Sequence, residues 1–448
     1  MAGGYAEAAL RQRRGSLPGQ QFQRSGQTPG GATDMGRKHR PDYWLVILCL
    51  MMLSIGLIVV YAISPALSEA AGTSQSHYVT KQLIAIGLSL VAFVAMAKIP
   101  LGFIKQWYKP LLILAGLATI IALLMPVDPL YPAHRWVRLG GLSFQSVELL
   151  KFGMLIAAAG FLAERAQSGR LGDWKATIRP LLIAIGVLGL VVAGPAKLHA
   201  QSDLGSTAVI FAMLGTMAFV AGMPLKKLGI GLAILGVLVT LVVLPSDYRR
   251  ARVTSFLNPD AGCQQAEGYQ ACQALIAVGS GGMAGLGLGR SVQAYGYLPE
   301  AANDSIFAIY SEKFGFIGAA VLLGVMLAFF SRIKNVAERA PDMFSRLLVV
   351  GVLAWLSIQA AINIGAMIGL LPLKGITLPF ISYGGTSVVF AAAAVGLVFQ
   401  VSYYTTLRAQ RVSRDGNGVE RRGQYDDQNS GGYGRRQRGA YHPNPGGR

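Results

Sequence analysis

Long apolar stretches recur along this chain, and they constrain its fold more than any other feature. About 20 mostly apolar residues let an α-helix cross the hydrocarbon core of a bilayer. Two of the stretches, 145–163 and 203–222, also carry ionisable groups near their starts. The ten predicted spans are 43–63, 79–97, 109–126, 145–163, 179–195, 203–222, 227–245, 304–330, 344–370 and 380–404. The sequence therefore predicts an all-α polytopic membrane protein with ten transmembrane helices.

Composition supports a membrane protein and restricts the meaning of the net charge. Only 14% of the residues are charged, against about 25% in soluble domains, and 53% are hydrophobic. Much of the net charge of +19 lies in two tails, 1–42 and 408–448, which are rich in Gly, Arg, Gln and Ser. They lack apolar periodicity, which predicts disorder. We interpret them as solvated tails beside an anionic leaflet, with adhesion to RNA or lipid as the alternative, and we expect no nucleic-acid partner.

The distribution of Lys and Arg predicts the orientation of the transmembrane domain, residues 43–407. These residues favour cytoplasmic loops. With the N-terminus inside, 29 of the 40 lie in cytoplasmic segments. Ten spans then leave both termini in the cytoplasm and place the large loop 246–303, between helices 7 and 8, outside.

The outer loop holds a glycine-rich segment and two cysteines. The segment "GSGGMAGLGLG", 279–289, lacks the Gly-Lys-Ser/Thr ending of a phosphate-binding loop. Close backbone packing or a re-entrant turn fits it better. Cys263 and Cys272 lie where a disulfide is permitted, although spacing alone does not show that one forms. Cys49, in the first span, reads as small apolar filler.

Several ionisable residues lie where polarity is costly, so each needs a partner or a purpose. Glu148 and Lys151 are three apart on one helical face and can pair. The pair is either structural or lines an outward cavity, with the lysine directed at a substrate anion. Asp203 and Asp304 each stand at the start of a span, where a helix cap is the simplest role.

Charged residues of both signs are predicted to gather on the outer side. Arg135, Trp136 and Arg138 form a short outer loop, in which an interfacial aromatic with snorkelling arginines is the alternative to ligand binding. The cations that could receive a phosphate-bearing ligand are Arg135, Arg138, Lys151 and Lys374. The carboxylates that could act as a base are Asp203, Asp260, Glu267 and Glu300. These groups suit a lipid-linked phosphate, although not uniquely.

Six sequence blocks carry a resemblance to a known family. They are "HRWVRLG" (134–140), "FQSVELLKFG" (144–153), "QSDLGST" (201–207), "YRRARVTSFLNP" continued by "GYQACQALIAVGSGG" (248–282), "LPEAANDSIFA" (298–308) and "LPLKGITLPFISYGGTS" (371–387). In this order they resemble the SEDS family of ten-span peptidoglycan glycosyltransferases, over about residues 43–407. Within the family, "KGIT" at 374–377 is closer to the cell-division branch, FtsW, than to the elongation branch, RodA.

The resemblance implies a function and a set of site residues. It implies polymerisation of lipid II into glycan strands on the outer face of the cytoplasmic membrane, during division at the septum. The substrate-binding residues carried over are Arg135, Trp136, Arg138, Glu148, Lys151, Asp203 and Lys374. The proposed catalytic Asp of many relatives stands later after the Asn-Pro than Asp260 does here. Asp260 is the only aspartate in that stretch and takes the role of base, with Glu267 as the fallback.

Partners and alternatives follow from the same resemblance. It implies a class B penicillin-binding protein, a transpeptidase, as partner, together with other division proteins. No cofactor is certain; Mg²⁺ or Mn²⁺ could accompany the pyrophosphate, held mainly by the phosphates. Two other classes stay open. A lipid II flippase or other transporter also uses ionisable pairs and interrupted spans, and a non-catalytic division scaffold would explain the displaced aspartate. A RodA-like polymerase for elongation is the alternative within the family.

Overall fold

Helices make up nearly all the regular structure of the computed structural model. It describes residues 37–38, 40–125, 134–139, 142–194, 201–243, 247–258, 263 and 266–405, so most of the first predicted tail and all of the second lie outside the described residues. The helices are α1 (Tyr43–Ala70), α2 (His77–Lys98), α3 (Leu101–Gln106), α4 (Tyr108–Leu124), α5 (Ser146–Gln167), α6 (Arg179–Leu188), α7 (Leu204–Ala221), α8 (Leu225–Val243), α9 (Asp247–Leu257), α10 (Ala266–Ser280), α11 (Ile306–Glu338), α12 (Met343–Met367) and α13 (Gly385–Val401). Single π-helical turns, Trp174–Ile178 and Gly189–Ala193, extend α6 at both ends.

The chain is a multi-pass membrane protein. Among the described residues, seven helices are long and apolar enough to cross a membrane: α1, α2, α5, the extended α6, α7, α11 and α12. Two shorter apolar helices, α4 and α13, and the helix α8 occupy the other predicted positions. A helix therefore lies at each of the ten predicted spans, including the two with ionisable groups near their starts. The total of ten crossings and the extent of the outer loop stay predictions.

Burial separates central helices from lipid-facing ones. In an apolar 18-residue stretch of α5, 83% of the residues are buried, against 17% in the corresponding stretch of α2. Small residues bring α5 close to α4: a Cβ added to Gly153 would lie 3.0 Å from the Cβ of Ala115. Such close approach of small residues stabilises helix pairs in membranes. On α2, by contrast, Leu83, Leu88 and Val91 are more than half exposed, as expected of side chains that meet lipid.

The glycine-rich segment packs against a kink in α11. Gly315 of α11 has φ of 65° and ψ of −165°, which breaks the helix locally. Leu286 N and Gly287 N donate to carbonyls on the N-terminal side of this kink at 2.9 and 3.0 Å. Gly285 has φ of +82°, and a Cβ there would overlap the carbonyl of Lys313. Only glycine allows two backbones this close, so the expectation of close backbone packing is confirmed.

Two short two-stranded sheets, of which only β2–β3 is a hairpin, identify the two faces of the bundle. Strand β1 (Arg37–Lys38) pairs antiparallel with β4 (Tyr404–Thr405), and we call the face where they meet the chain-end face. Strand β2 (Trp136–Leu139) pairs with β3 (Leu142–Gln145), which leads directly into α5. The face with this hairpin, α9 and the segment 368–384 is the loop face.

Candidate functional site

A buried ion pair joins two residues of α5. Lys151 Nζ lies 2.8 Å from Glu148 Oε1, and both side chains are buried. The ammonium group also donates to Gln359 Oε1 of α12 at 3.0 Å and lies 5.1 Å from the centre of the Trp355 ring. A lysine at membrane depth is stable only when its charge is paired. The pair expected from the spacing forms, and its ammonium group is fully engaged by the protein.

Gln359 connects this pair to the loop face. Its Nε2 donates to the Thr377 carbonyl at 2.9 Å, in the segment 368–384. Thr377 Oγ1 lies 3.0 Å from Ser387 Oγ at the start of α13. Among the described residues, Glu148 Oε2 has no hydrogen-bond partner. We call this set, Glu148, Lys151, Trp355, Gln359, Thr377 and Ser387, the buried network.

Asp203 caps α7, as the sequence suggested. Its Oδ1 accepts from Ser206 N at 2.9 Å, and its Oδ2 accepts from Ser206 Oγ at 2.8 Å. A side chain that satisfies free N–H groups in this way stabilises the start of a helix. At the same turn, Arg135 donates to the carbonyls of Gln201 and Ser202 at 2.8 and 2.9 Å. The cap and the arginine therefore lie side by side at the turn 201–206 on the loop face, which we call the corner.

Two arginines of α9 join this corner. Arg249 is buried and donates to Ser202 Oγ at 2.8 Å. Arg252, one turn further along, donates to the Leu373 carbonyl at 3.4 Å. Burial, and then the nearby guanidinium of Arg135, lower the pKa of Arg249. Because arginine stays charged in proteins, Arg249 is a buried positive charge beside a second one, Arg135.

Lys374 completes the group. Burial lowers its pKa, and the charges of Arg252 and Arg249 lower it further, while Asp203 acts in the opposite direction. We call Arg135, Arg249, Arg252 and Lys374 the cation cluster. Their mutual repulsion leaves an excess of positive potential, which an anionic ligand would relieve.

Asp304 borders the cluster but does not cap a helix. The helix α11 begins after it, and the N-cap residue is Ser305, whose side chain makes no capping bond; the interpretation of Asp304 as a cap is therefore wrong. Its Oδ1 instead accepts from Gln270 Nε2 of α10 at 3.4 Å. Burial, and then the charge of Glu300, raise the pKa of Asp304 to about 7.

A disulfide closes the segment next to the cluster. Cys263 and Cys272 are bonded, which answers the question that their spacing left open. Both cysteines and Arg252 line a small cavity of about 60 Å³. Asp260, the predicted base, lies outside the described residues. Glu267 belongs to α10, but its side chain also lies outside the described part of the chain.

The structure separates the predicted site residues into two groups. Arg135, Asp203 and Lys374 come together on the loop face. Glu148 and Lys151 lie in the buried network instead. The network and the cluster are linked through the segment 368–384, which carries both Thr377 and Lys374.

The hairpin β2–β3 holds the other two predicted residues. Trp136 lies in β2 with 42% of its surface exposed. Arg138 lies in the same strand, and its side chain is not among those described. Sequence reasoning missed Arg249 and Arg252 as site residues, although both stand in the block "YRRARV". Their spacing of three on a helix that follows a span was the available signal.

The described residues do not form a metal site of their own. Nowhere among them do three His, Cys, Asp or Glu side chains gather as metal ligands. Mg²⁺ usually binds through one or two carboxylates plus substrate phosphates.

Comparisons with known proteins agree with this architecture. A probable peptidoglycan glycosyltransferase FtsW from Coxiella burnetii is 37% identical over 372 residues, which cover 81% of this chain and 96% of that protein. Stage V sporulation protein E from Bacillus subtilis is 35% identical over 371 residues, 82% of this chain and 99% of that protein.

Solved structures give the same result. A structure described as "Structural coordination of polymerization and crosslinking by a peptidoglycan synthase complex" matches with a TM-score of 0.63 and 27% identity, over 81% of this chain and 97% of that one. RodA from Thermus thermophilus matches with a TM-score of 0.57 and 25% identity, over 81% and 96% of the two chains. The model of the FtsW, RodA and SpoVE family, described as cell cycle protein, matches residues 43–407. The chain belongs to this family.

Proposed function

We propose that this chain is a peptidoglycan glycosyltransferase that polymerises lipid II on the outer face of the cytoplasmic membrane during cell division. The enzyme class is supported by its relatives, two of which are named as probable peptidoglycan glycosyltransferases. One observation carries the assignment of the site: four cations crowd together on the loop face, beside the disulfide-closed segment that follows Asp260.

The cation cluster suits a pyrophosphate leaving group. As the bond from the sugar to the pyrophosphate breaks, negative charge accumulates on the phosphate oxygens. Positive groups that are already in place stabilise that charge without reorganising. Arg249 is held in place by burial and by hydrogen bonds to the Ala193 and Gly194 carbonyls, and Lys374 is half-buried beside it. The cluster therefore lowers the barrier at the point where charge develops.

Asp260 is the proposed base. The 4-hydroxyl of one sugar unit attacks the anomeric carbon of another lipid II, and a new glycosidic C–O bond forms. The hydroxyl proton passes to the Asp260 carboxylate, and undecaprenyl pyrophosphate leaves with the electrons of the broken C–O bond. A positioned base contributes about 10²- to 10⁴-fold. Glu267 is the fallback for this role.

The orientation follows the distribution of basic residues. We place the loop face outside and the chain-end face, with both tails, in the cytoplasm. An impermeant thiol reagent on intact, reduced cells should then label Cys263 or Cys272 but not a cysteine introduced at Ser413. Labelling of the tail cysteine alone would reverse the orientation and remove the mechanism.

A transpeptidase partner is part of the proposal. One structural relative is a peptidoglycan synthase complex that coordinates polymerisation and cross-linking. A single-span class B penicillin-binding protein would cross-link the strands that this chain makes. Depletion of the chain should give undivided filaments; rounded cells would instead assign it to elongation.

Reconstitution tests the activity directly. The purified full-length chain, with and without the transpeptidase, is supplied with lipid II in liposomes, and products are separated by length. Glycan polymer supports the proposal. Movement of lipid II across the bilayer without polymer would make the protein a flippase, and neither result with a folded protein and its partner present would make it a scaffold.

A further inference from the structure

A basic groove opens on the chain-end face, on the opposite side of the bundle from the cation cluster. It has a volume of about 500 Å³ and lies between α3, α4 and the end of α5. Its lining residues are Gly102, Lys105, Gln106, Tyr108, Lys109 and Glu164. The proposed reaction uses none of them. The groove therefore calls for an explanation of its own.

Two lysines and one carboxylate, Glu164, line the groove. In the described part of the chain, neither Lys105 nor Lys109 lies within ion-pair distance of a carboxylate. Lys105 Nζ lies 6.0 Å from the centre of the Phe344 ring, and Lys109 Nζ lies 5.6 Å from that of Tyr108. By contrast, Lys334 on the same face pairs with its neighbour Glu338. The groove thus presents two positive charges to whatever enters it.

Aromatic side chains place the groove at the depth of lipid headgroups. Phe103 and Trp107 stack with ring centres 5.3 Å apart and an angle of 25° between the rings. They are 49% and 53% exposed. Trp and Tyr are enriched where hydrocarbon meets water. The short helix α3 between two spans therefore lies at the membrane interface.

We propose that this groove binds the headgroup of an anionic phospholipid with free hydroxyls, such as phosphatidylglycerol. Lys105 and Lys109 hold the phosphate, and the acyl chains lie against Phe103 and Trp107. Glu164 is exposed at the rim and accepts a hydrogen bond of 3.4 Å from Tyr108. Its carboxylate accepts hydroxyl donors and repels a second phosphate charge, which favours a glycerol headgroup over a bare phosphate.

Photo-crosslinking tests the site. The full-length protein is placed in phosphatidylcholine nanodiscs with a trace of phosphatidylglycerol that carries a photoreactive acyl chain. The crosslink should map to the peptide that contains Phe103 and Trp107. Each lysine near an anionic lipid contributes about fivefold in affinity, so Lys105→Gln with Lys109→Gln should lower the crosslink by roughly 10- to 30-fold.

A matched control removes the same charge elsewhere. Lys175 and Lys226 are exposed on the chain-end face and lie outside the groove. The double variant Lys175→Gln with Lys226→Gln should keep the crosslink. The variant Lys105→Arg with Lys109→Arg, which keeps the charge of the groove, should also keep it. Equal loss in the control pair would mean attraction to general surface charge and would overturn the site.

Two further results would contradict the proposal. Displacement of the lipid by inorganic phosphate would make the groove a site for free anions. Glu164→Gln should reduce the preference for phosphatidylglycerol over phosphatidic acid; an unchanged preference would remove the headgroup specificity. Each variant is first compared with the wild type by gel-filtration profile and thermal unfolding, so that loss of fold is not mistaken for loss of lipid.

Discussion

The buried network and the cation cluster use similar residues in opposite ways. In the network, the Lys151 ammonium has a carboxylate, an amide oxygen and an aromatic face around it. In the cluster, by contrast, burial and then the neighbouring cations Arg252 and Arg249 lower the pKa of Lys374. In the first region a carboxylate pairs with the buried lysine, and the second carries an electrostatic cost that an anion would offset. The difference separates a charge that the fold pairs internally from the cations that we propose for substrate binding.

The largest effect should come from breaking the network. Lys151→Ala would leave Glu148 buried without a counter-charge, which costs about 3–5 kcal/mol. The variant should therefore lose abundance and thermal stability together with activity. Unfolding in detergent and quantitative blotting measure this, with Lys81→Ala, an exposed lysine of α2, as the control. A stable Lys151→Ala protein without turnover would move Lys151 into substrate binding.

Substitution of the proposed base should remove activity and leave stability unchanged. Asp260→Asn keeps the size of the side chain and removes the base, so polymerisation should fall by about two to four orders of magnitude. Protein level and lipid II binding should persist. Glu267→Gln at matched expression is the comparison. Normal polymer from the first variant and none from the second would assign the base to Glu267.

Asp304 should make stability depend on pH. Its folded pKa is about 7, above the unfolded value of about 3.9, so the folded state holds the proton more tightly. The free energy of unfolding should therefore fall as pH rises between these two values. Asp304→Asn keeps an oxygen for Gln270 and removes the charge.

The wild type should lose stability as the pH rises and Asp304→Asn should not. The free energy of unfolding of the variant minus that of the wild type should therefore increase by about 2–3 kcal/mol from pH 5 to pH 8. Thermal unfolding across this range measures the difference. Glu338→Gln, on the chain-end face, corrects for the loss of one charge. A constant difference between Asp304→Asn and the wild type would show that this carboxylate does not titrate in the range.

The smallest expected effect concerns one member of the cluster. Lys374→Gln removes a crowded cation, so stability should hold or rise slightly. Binding of the pyrophosphate substrate should weaken by about 1.5–3 kcal/mol, the range for a hydrogen bond to a charged group. Binding is measured beside Lys226→Gln on the opposite face. Equal binding by the two variants would exclude Lys374 from the substrate site.

Local patterns in the sequence predicted the features that local physics controls. The positions of the helices follow from apolar length, the pair of Glu148 and Lys151 follows from helical spacing, and the Asp203 cap follows from the need of free N–H groups for a partner. Each of these depends on residues within a few positions of one another. These features could be predicted because they do not depend on contacts between residues that are distant in the sequence.

Features that depend on distant contacts were missed. The cation cluster joins Arg249 and Arg252 to Lys374, more than 100 residues further along the chain, and only the packing of α9 against the segment 368–384 brings them together. Gln359 is neutral and lies within an apolar span, so neither hydropathy nor charge marks it. Asp304 looked like a cap because the contact with Gln270 cannot be inferred from spacing.

The antiparallel pairing of Arg37–Lys38 with Tyr404–Thr405 has a topological consequence. Two strands that pair in one sheet must lie on the same side of a bilayer, so the chain between them crosses the membrane an even number of times. Seven helices meet the criteria of length and composition among the described residues, and seven is odd. If all seven of them cross, at least one of α4, α8 and α13 crosses as well. Gain or loss of a single span would then place the two strands on opposite sides of the membrane.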